Sequence, residues 1–351
     1  MKKLALIGCG IIGDYHLDHF KQFEDIEVVG CCDLILTKAQ TLVEKAGVGK
    51  AFTCFIEMYD EVKPDMVFIC VPPICHGEIE FETIRRGIPF FVEKPVTLDA
   101  ALARELIKQI DEKGLITAVG FQCRYDSLNK TAMDFIKNNQ VLHVAGSRIG
   151  GIPDVPWWKS RFLSGGQLTE QTIHQMDMLR YFLNDEPETV YSVASRGHIT
   201  QEEVPGYFTD DMSTTLVTFK SGITCTMVTG CYSTSESSWY NQMTFGCRDV
   251  RMDYRLITDL TLYGTEGDKA KGLGGVVAGD GMQVTAAGET GIVVETTNNC
   301  GLECDRTFID AVISGDGSKI RSTYADAWKS TAFCLACTES MDTGLPVKVI
   351  Y

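Results

Sequence analysis

Short, unbroken apolar runs separated by helical stretches fill the first third of the chain. The runs are Leu4–Ile7, Val28–Cys32, Ala51–Cys54, Met66–Val71, Phe90–Val92 and Ile116–Val119. A strand covered on both faces reads this way, because neither face meets water, whereas a half-exposed strand alternates. Helical patterns fill the gaps. One spans Leu98–Lys113, opening at Asp99 and closing before Gly114. Six strands joined by crossover helices predict a doubly wound parallel sheet, an α/β domain over 1–121.

Beyond Phe121 the texture changes. Helices are expected near 127–138 and 169–183. Alternating stretches then follow at Thr189–Ile199, Asp211–Phe219, Ile223–Tyr232, Asp259–Gly264 and Gly281–Ala287. They predict antiparallel strands with one wet face. Helical patterns return at Thr307–Ile313 and Tyr324–Asp342, and Pro346–Ile350 ends the chain. The second domain, 122–351, is therefore expected to be α+β with a large, mostly antiparallel open sheet. Its exposed face predicts self-association as a homodimer or homotetramer.

Composition narrows the partners. The 351 residues carry a net charge of −15, which repels phosphate backbones and anionic lipid. Neither nucleic acid nor membrane is expected as a partner, and no apolar run approaches the roughly 20 residues that span a bilayer. Met1–Ile7 breaks at Gly8 before it can form a signal segment, so a cytoplasmic protein is expected. In that compartment the 14 cysteines read as reduced thiols. No metal is expected: Cys300 with Cys304 and Cys334 with Cys337 lack a nearby histidine, and the histidines are scattered.

Gly8-Cys9-Gly10-Ile11-Ile12-Gly13 follows the first strand and opens a helix expected near Asp14. In that setting Gly8 permits a tight turn, Gly10 admits a pyrophosphate close to the backbone, and Gly13 lets helix and strand pack. The helix N-terminus supplies free N–H groups to the phosphates. Asp33 lies twenty residues beyond Gly13, at the end of the second strand. A carboxylate there accepts ribose hydroxyls and repels a 2′-phosphate. Leu34-Ile35-Leu36-Thr37 supplies no arginine, and only Lys38 is near. NAD is thus expected in preference to NADP.

Further motifs follow in order: Val71-Pro72-Pro73-Ile74-Cys75-His76, Glu93-Lys94-Pro95, Gly120-Phe121-Gln122-Cys123-Arg124-Tyr125, Ser164 to Asp177, and Gly264-Thr265-Glu266-Gly267. Together the chain resembles the Gfo/Idh/MocA family over nearly its whole length, with Glu93-Lys94-Pro95 the most specific element. The resemblance implies an NAD-dependent oxidoreductase that moves hydride between nicotinamide and a secondary hydroxyl of a sugar, inositol or glycoside. Two alternatives exist among such proteins: glycosidases that retain NAD and cleave by transient oxidation and elimination, and non-enzymatic NAD-binding regulators.

Lys94 ends a parallel strand, where ligands bind in open α/β sheets, and can polarise and hold a hydroxyl. His174 can take the hydroxyl proton. Glu170 lies four residues earlier, on the same face of a regular α-helix, and can fix the histidine tautomer, reach substrate, or both. The resemblance also places Gly8, Gly10, Ile11, Ile12, Gly13, Asp33, Lys38, Pro72, His76, Glu93, Lys94 and Gln122 at the cofactor. It further implies that the Trp158–Lys159 loop borders the substrate. Open alternatives remain for several of these residues. His76 approaches the nicotinamide half or sits on a loop surface. Arg124 contacts substrate or braces the cleft. Trp158 stacks on a sugar ring or packs in a core. Asp177 binds hydroxyls or is an ordinary capping acid.

Overall fold

The computed structural model describes residues 1–233, 240–264, 282–284 and 290–351. The chain divides into two compact units. One is Met1–Gln122 with Gly301–Lys329, and the other is Cys123–Cys300 with Ser330–Tyr351. The sequence reading assigned all of 122–351 to the second domain. Gln122 and the segment Gly301–Lys329 differ, and that segment is bonded into the first unit. Asp305 is bonded to His16 and His19, Val119 N–H donates to Ser322 O, and the Tyr324 hydroxyl donates to Val96 O. A boundary drawn where strand texture changes cannot show a later segment returning.

The first unit holds β1 (Lys2–Ile7), β2 (Ile26–Cys32), β3 (Lys50–Phe52), β4 (Met66–Ile69), β5 (Phe90–Val92) and β6 (Thr117–Val119). They form a parallel sheet in the order β3-β2-β1-β4-β5-β6. The runs of β1, β4, β5 and β6 are buried as expected, whereas β3 stands at the sheet edge and buries only Phe52, with Thr53 exposed. Helix Ala100–Lys113 starts where the sequence said. Asp99 caps it by accepting from the N–H groups of Ala101 and Leu102, and Gly114 closes it with φ +59°. The register puts Phe52, Cys32, Ile7, Ile69, Val92 and Val119 in one row across all six strands. Asp33, Gly8, Cys70, Glu93 and Gly120 are the next residues, so one carboxyl edge carries them all.

The second unit holds a ten-stranded sheet. Its strands are β7 (Val141–Gly151), β8 (Pro187–Ser195), β9 (Met212–Phe219), β10 (Thr224–Ser233), β11 (Tyr240–Cys247), β12 (Val250–Arg255), β13 (Asp259–Gly264), β14 (Met282–Val284), β15 (Thr290–Glu295) and β16 (Val347–Lys348). The order is β14-β15-β13-β12-β11-β7-β10-β9-β8-β16, antiparallel except for β7 beside β10. This is the expected open, mostly antiparallel sheet. Strands β7, β11, β12 and β15 were not foreseen. In β7, Gly146 breaks the apolar pattern for a packing reason: a Cβ there would stand 2.5 Å from Met227 Cε. Thr265–Gly267 of the Gly264 motif lie outside the described residues. So does most of Gly281–Ala287, of which Met282–Val284 is strand.

One face of this sheet is packed and the other open. Tyr191, Leu216, Thr226, Ala145 and Thr244 stand opposite one another from β8 to β11, and Val193, Thr214, Val228, Ser147 and Gln242 form the next row. All ten are exposed or half-exposed, and none is charged. No described helix is long and apolar enough to cross a membrane.

Candidate active site

The glycine turn meets each of its three requirements. Gly8 has φ +90°, and a Cβ on it would lie 2.2 Å from Cys70 O. A Cβ on Gly13 would lie 2.1 Å from Gly8 O, so helix and turn touch there. Gly10 has nothing within 4 Å on that side. It caps the helix Ile11–Phe20 with no side chain covering the free N–H groups. The helix begins at Ile11 rather than near Asp14, because Gly10 O already accepts from Asp14 N–H.

Asp33 faces this turn. One carboxylate oxygen accepts Cys9 N–H at 2.9 Å and the other accepts Ile35 N–H at 2.8 Å. Around them Ile11, Ile12, Leu34, Ile35 and Ile74 are exposed, Leu34 at 90%. Large apolar side chains clustered at the carboxyl edge are a surface suited to the apolar faces of a dinucleotide. An open backbone approach at Gly10, free N–H groups and a carboxylate at the end of β2 all fit that group. Lys38 is exposed on the helix Leu36–Ala46.

Pro72 and His76 bracket a short turn after β4. His76 is not a loop-surface residue: its side chain is buried, and Nδ1 lies 2.5 Å from Glu80 Oε1. Glu80 Oε2 accepts Gly77 N–H, while His76 Nε2 is buried without a hydrogen-bond partner among the described residues. The sequence reading missed Glu80. Its i,i+4 spacing from His76 was the available signal. At the end of β5, Lys94 and Glu93 are half-buried, and Lys94–Pro95 is a cis peptide. Gln122 Oε1 accepts the Tyr15 hydroxyl at 2.9 Å.

In the second unit, Glu170 lies in a π-helical turn, Leu168–Thr172, that runs into the α-helix Ile173–Leu183. That turn is wider than an α-turn, so the common face inferred for Glu170 and His174 does not follow from their spacing. Glu170 Oε2 accepts Trp158 Nε1–H at 2.7 Å and is also bonded to Gln171 Nε2. Arg148 then bonds Gln171 Oε1 and Cys231 Sγ. His174 is half-buried, with Nδ1 3.9 Å from Cys123 Sγ. Trp158 is 1% exposed and packs with Tyr207 and Cys231, so it takes the core alternative and presents no face to a sugar. Lys159 pairs with Asp154 at 3.5 Å.

Asp177 is fully buried. It receives Arg124 bidentately at 2.7 and 2.6 Å and the Ser330 hydroxyl at 2.6 Å. Arg124 is 4% exposed and also stacks over Tyr181. The pair is an internal brace, which removes Arg124 and Asp177 from the groups facing a substrate. The 14 cysteines form no disulfide, and burial raises the thiols of Cys334 and Cys337.

The sequence profile of an oxidoreductase family with an NAD-binding Rossmann fold matches residues 2–121, and that of the same family's C-terminal alpha/beta domain matches 136–349. The chain belongs to the Gfo/Idh/MocA family. The first unit is accordingly an NAD-binding Rossmann domain. Among family members, the chain is 27% identical over 225 residues to a myo-inositol 2-dehydrogenase of Thermotoga maritima, covering 63% of this chain and 66% of the relative. It is 27% identical over 226 residues to a scyllo-inositol 2-dehydrogenase (NAD(+)) of Bacillus subtilis, covering 63% and 64%. The matched part thus spans just under two thirds of either relative. The crystal structure of a myo-inositol 2-dehydrogenase from Lactobacillus plantarum shares the fold, with a TM-score of 0.78, 20% identity and 99% of both chains covered.

Proposed function

We propose that this chain is an NAD-dependent oxidoreductase that moves hydride between nicotinamide and a secondary hydroxyl of a sugar, inositol or glycoside. One observation carries the reading. The register of six parallel strands sets the glycine turn, Asp33, Glu93 and the beginning of the Lys94 peptide at one carboxyl edge, the edge where open α/β sheets take ligands. The inositol dehydrogenases among its relatives support the substrate class.

The free N–H groups beyond Gly10 would hold the pyrophosphate and Asp33 the adenosine ribose. Asp33 with the apolar Leu34 and Ile35 beside it favours NAD over NADP. When bound, the nicotinamide supplies the hydride acceptor or donor. Lys94 holds the reacting hydroxyl and lowers the cost of its developing negative charge. His174 takes the hydroxyl proton in oxidation and returns it in reduction. Glu170, held by Trp158 and Gln171, shapes the helix turn that presents His174. We assign Arg124, Trp158 and Asp177 to that support rather than to substrate contact.

A second copy of this chain is proposed for the open face. Its two uncharged rows contrast with a net charge of −15, so this is a face on which two copies can meet without mutual repulsion.

The test is a panel of inositols, sugars and glycosides with NAD or NADP, following reduced cofactor and product mass together. Accumulation of NADH with an oxidised, uncleaved product supports the reading. Cleavage without NADH would assign the chain to the NAD-retaining glycosidases. Tight NAD binding without turnover of any panel member would favour a regulator.

A further inference from the structure

A buried polar cluster in the first unit has no part in the chemistry above. His16 and His19 stand on helix Ile11–Phe20 and Asp305 on helix Cys300–Ser314. His16 Nδ1 lies 2.8 Å and His19 Nδ1 2.7 Å from one oxygen, Asp305 Oδ2. All three residues are at most 3% exposed. They form a group of potential metal ligands that the sequence reading missed, because Asp305 is remote in sequence. Two ligands on one tetrahedral zinc stand about 3.3 Å apart, given metal–nitrogen bonds of about 2.0 Å. These shorter separations are hydrogen bonds from ring N–H to carboxylate.

The cluster continues to the end of β5. His16 Nε2 lies 3.2 Å from Glu93 Oε1, and Glu93 Oε2 accepts Lys94 N–H at 3.2 Å. A Cβ on Gly120 would stand 2.0 Å from Glu93 Oε1, so the glycine after β6 leaves the room this carboxylate fills.

We propose that His16 is a positioning residue for Lys94, tying the helix behind the glycine turn to the end of β5 through Glu93. This rests on the role proposed for Lys94. Both ring nitrogens of His16 face carboxylate oxygens, which only accept, so both carry protons and the ring is an imidazolium. The groups around it are Asp305 from its helix, Glu93 from β5, the Cys70 thiol after β4, and His19 and Tyr15 from its own helix. Burial opposes the charge, yet Asp305 and Cys70, each by charge and by hydrogen bond, together outweigh it and hold the ring's pKa well above the ordinary value. Burial raises the Cys70 thiol, while the charge and hydrogen bond of His16 act against that rise. With the folded pKa above the unfolded value of about 6.5, the cluster's stabilisation is complete below about pH 6.5 and is lost as pH rises through the folded pKa.

The linkage makes the place of Lys94 depend on the helix that presents its N-terminus to the cofactor. The test is nitrogen-15 NMR of histidine-labelled full-length protein, with hydrogen exchange of the Lys94 amide. At pH 8 His16 should show two protonated ring nitrogens. His16→Gln should speed Lys94 exchange and slow turnover of the best panel polyol, each by about tenfold or more, while NAD affinity stays within about threefold. A singly protonated His16 at pH 8, or wild-type Lys94 exchange in His16→Gln, would overturn the proposal. If that variant does not fold, Asp305→Asn keeps the ring but removes its main anion. Its titration should fall toward about pH 6.5 and Lys94 exchange should quicken above it; an unmoved titration overturns the proposal equally. If no polyol is turned over, the oxidoreductase reading fails, whereas the two NMR readouts still decide this one.

Discussion

Trp158 donates its indole N–H to Glu170 Oε2 over 2.7 Å, and both side chains are buried. A tryptophan in that position anchors a carboxylate and cannot also offer its ring to a sugar. Trp158→Phe keeps most of the volume but leaves the buried oxygen without its indole donor. It should lower unfolding free energy by about 1–3 kcal/mol in urea titration. KM for the panel substrate should change by less than about threefold, since no stacking is lost. A large rise in KM with unchanged stability would return Trp158 to the substrate.

The glycine turn predicts opposite outcomes for two similar substitutions. Gly10→Ala adds a methyl into open space, so the thermal midpoint should hold while NAD affinity falls by about tenfold or more, because the pyrophosphate loses its close approach. Gly13→Ala drives a Cβ to 2.1 Å from Gly8 O, and something in the backbone must shift. It should lower the thermal midpoint as well as NAD affinity. Calorimetric titration beside a melt separates the two.

Cofactor choice rests on Asp33. Its carboxylate already bonds Cys9 and Ile35 N–H, which fixes its charge against the turn. In titration NAD should bind more tightly than NADP. Asp33→Ala should narrow the gap, chiefly by removing repulsion of the 2′-phosphate. Tighter binding of NADP by the unaltered protein would overturn the assignment.

Where local chemistry decides structure, the sequence was readable. The buried strand runs, the Asp99 cap and the three glycine roles each follow from neighbours in the chain. What it hid depends on distant partners. β7 went unread, and its Gly146 leaves space filled by Met227 of another strand. Asp177 looked like an accessible acid, yet Arg124 lies 53 residues away in sequence and saturates it. The π-helical turn at Glu170 takes away the α-helical spacing on which a face shared with His174 was inferred. Asp305 was missed for the same reason: it holds His16 and His19 from nearly 290 residues away, and only contacts reveal that.

The open sheet predicts self-association. Tyr191 and Leu216 face each other on adjacent strands, exposed at 40% and 47%. Light scattering at micromolar concentration should give at least twice 38.8 kDa. Leu216→Glu should shift the population toward the single chain with little change in secondary structure, because it adds a charge to both copies at the contact. A single-chain mass for the unaltered protein would refute the proposal.

The chemistry is tested most directly at Lys94 and His174. If Lys94 holds the reacting hydroxyl and His174 takes its proton, both act mainly in the transition state. Removing either should lower turnover far more than it weakens NAD binding. General acid–base groups contribute roughly 10²–10⁴-fold, so Lys94→Ala and His174→Ala should each lose at least about a hundredfold in turnover, with NAD affinity within a few-fold. Glu170→Gln should cost less. It keeps size and one acceptor for Trp158, but it removes the charge that strengthens the Trp158 and Gln171 bonds. If Glu170 acts by presenting His174, Glu170→Gln on top of His174→Ala should add almost nothing to the turnover loss, since there is no longer a base to present. Full additivity would instead give Glu170 its own contact with substrate. An active His174→Ala variant, measured on the substrate the panel identifies, would sink the proposed base while leaving the fold and the NAD-binding domain intact.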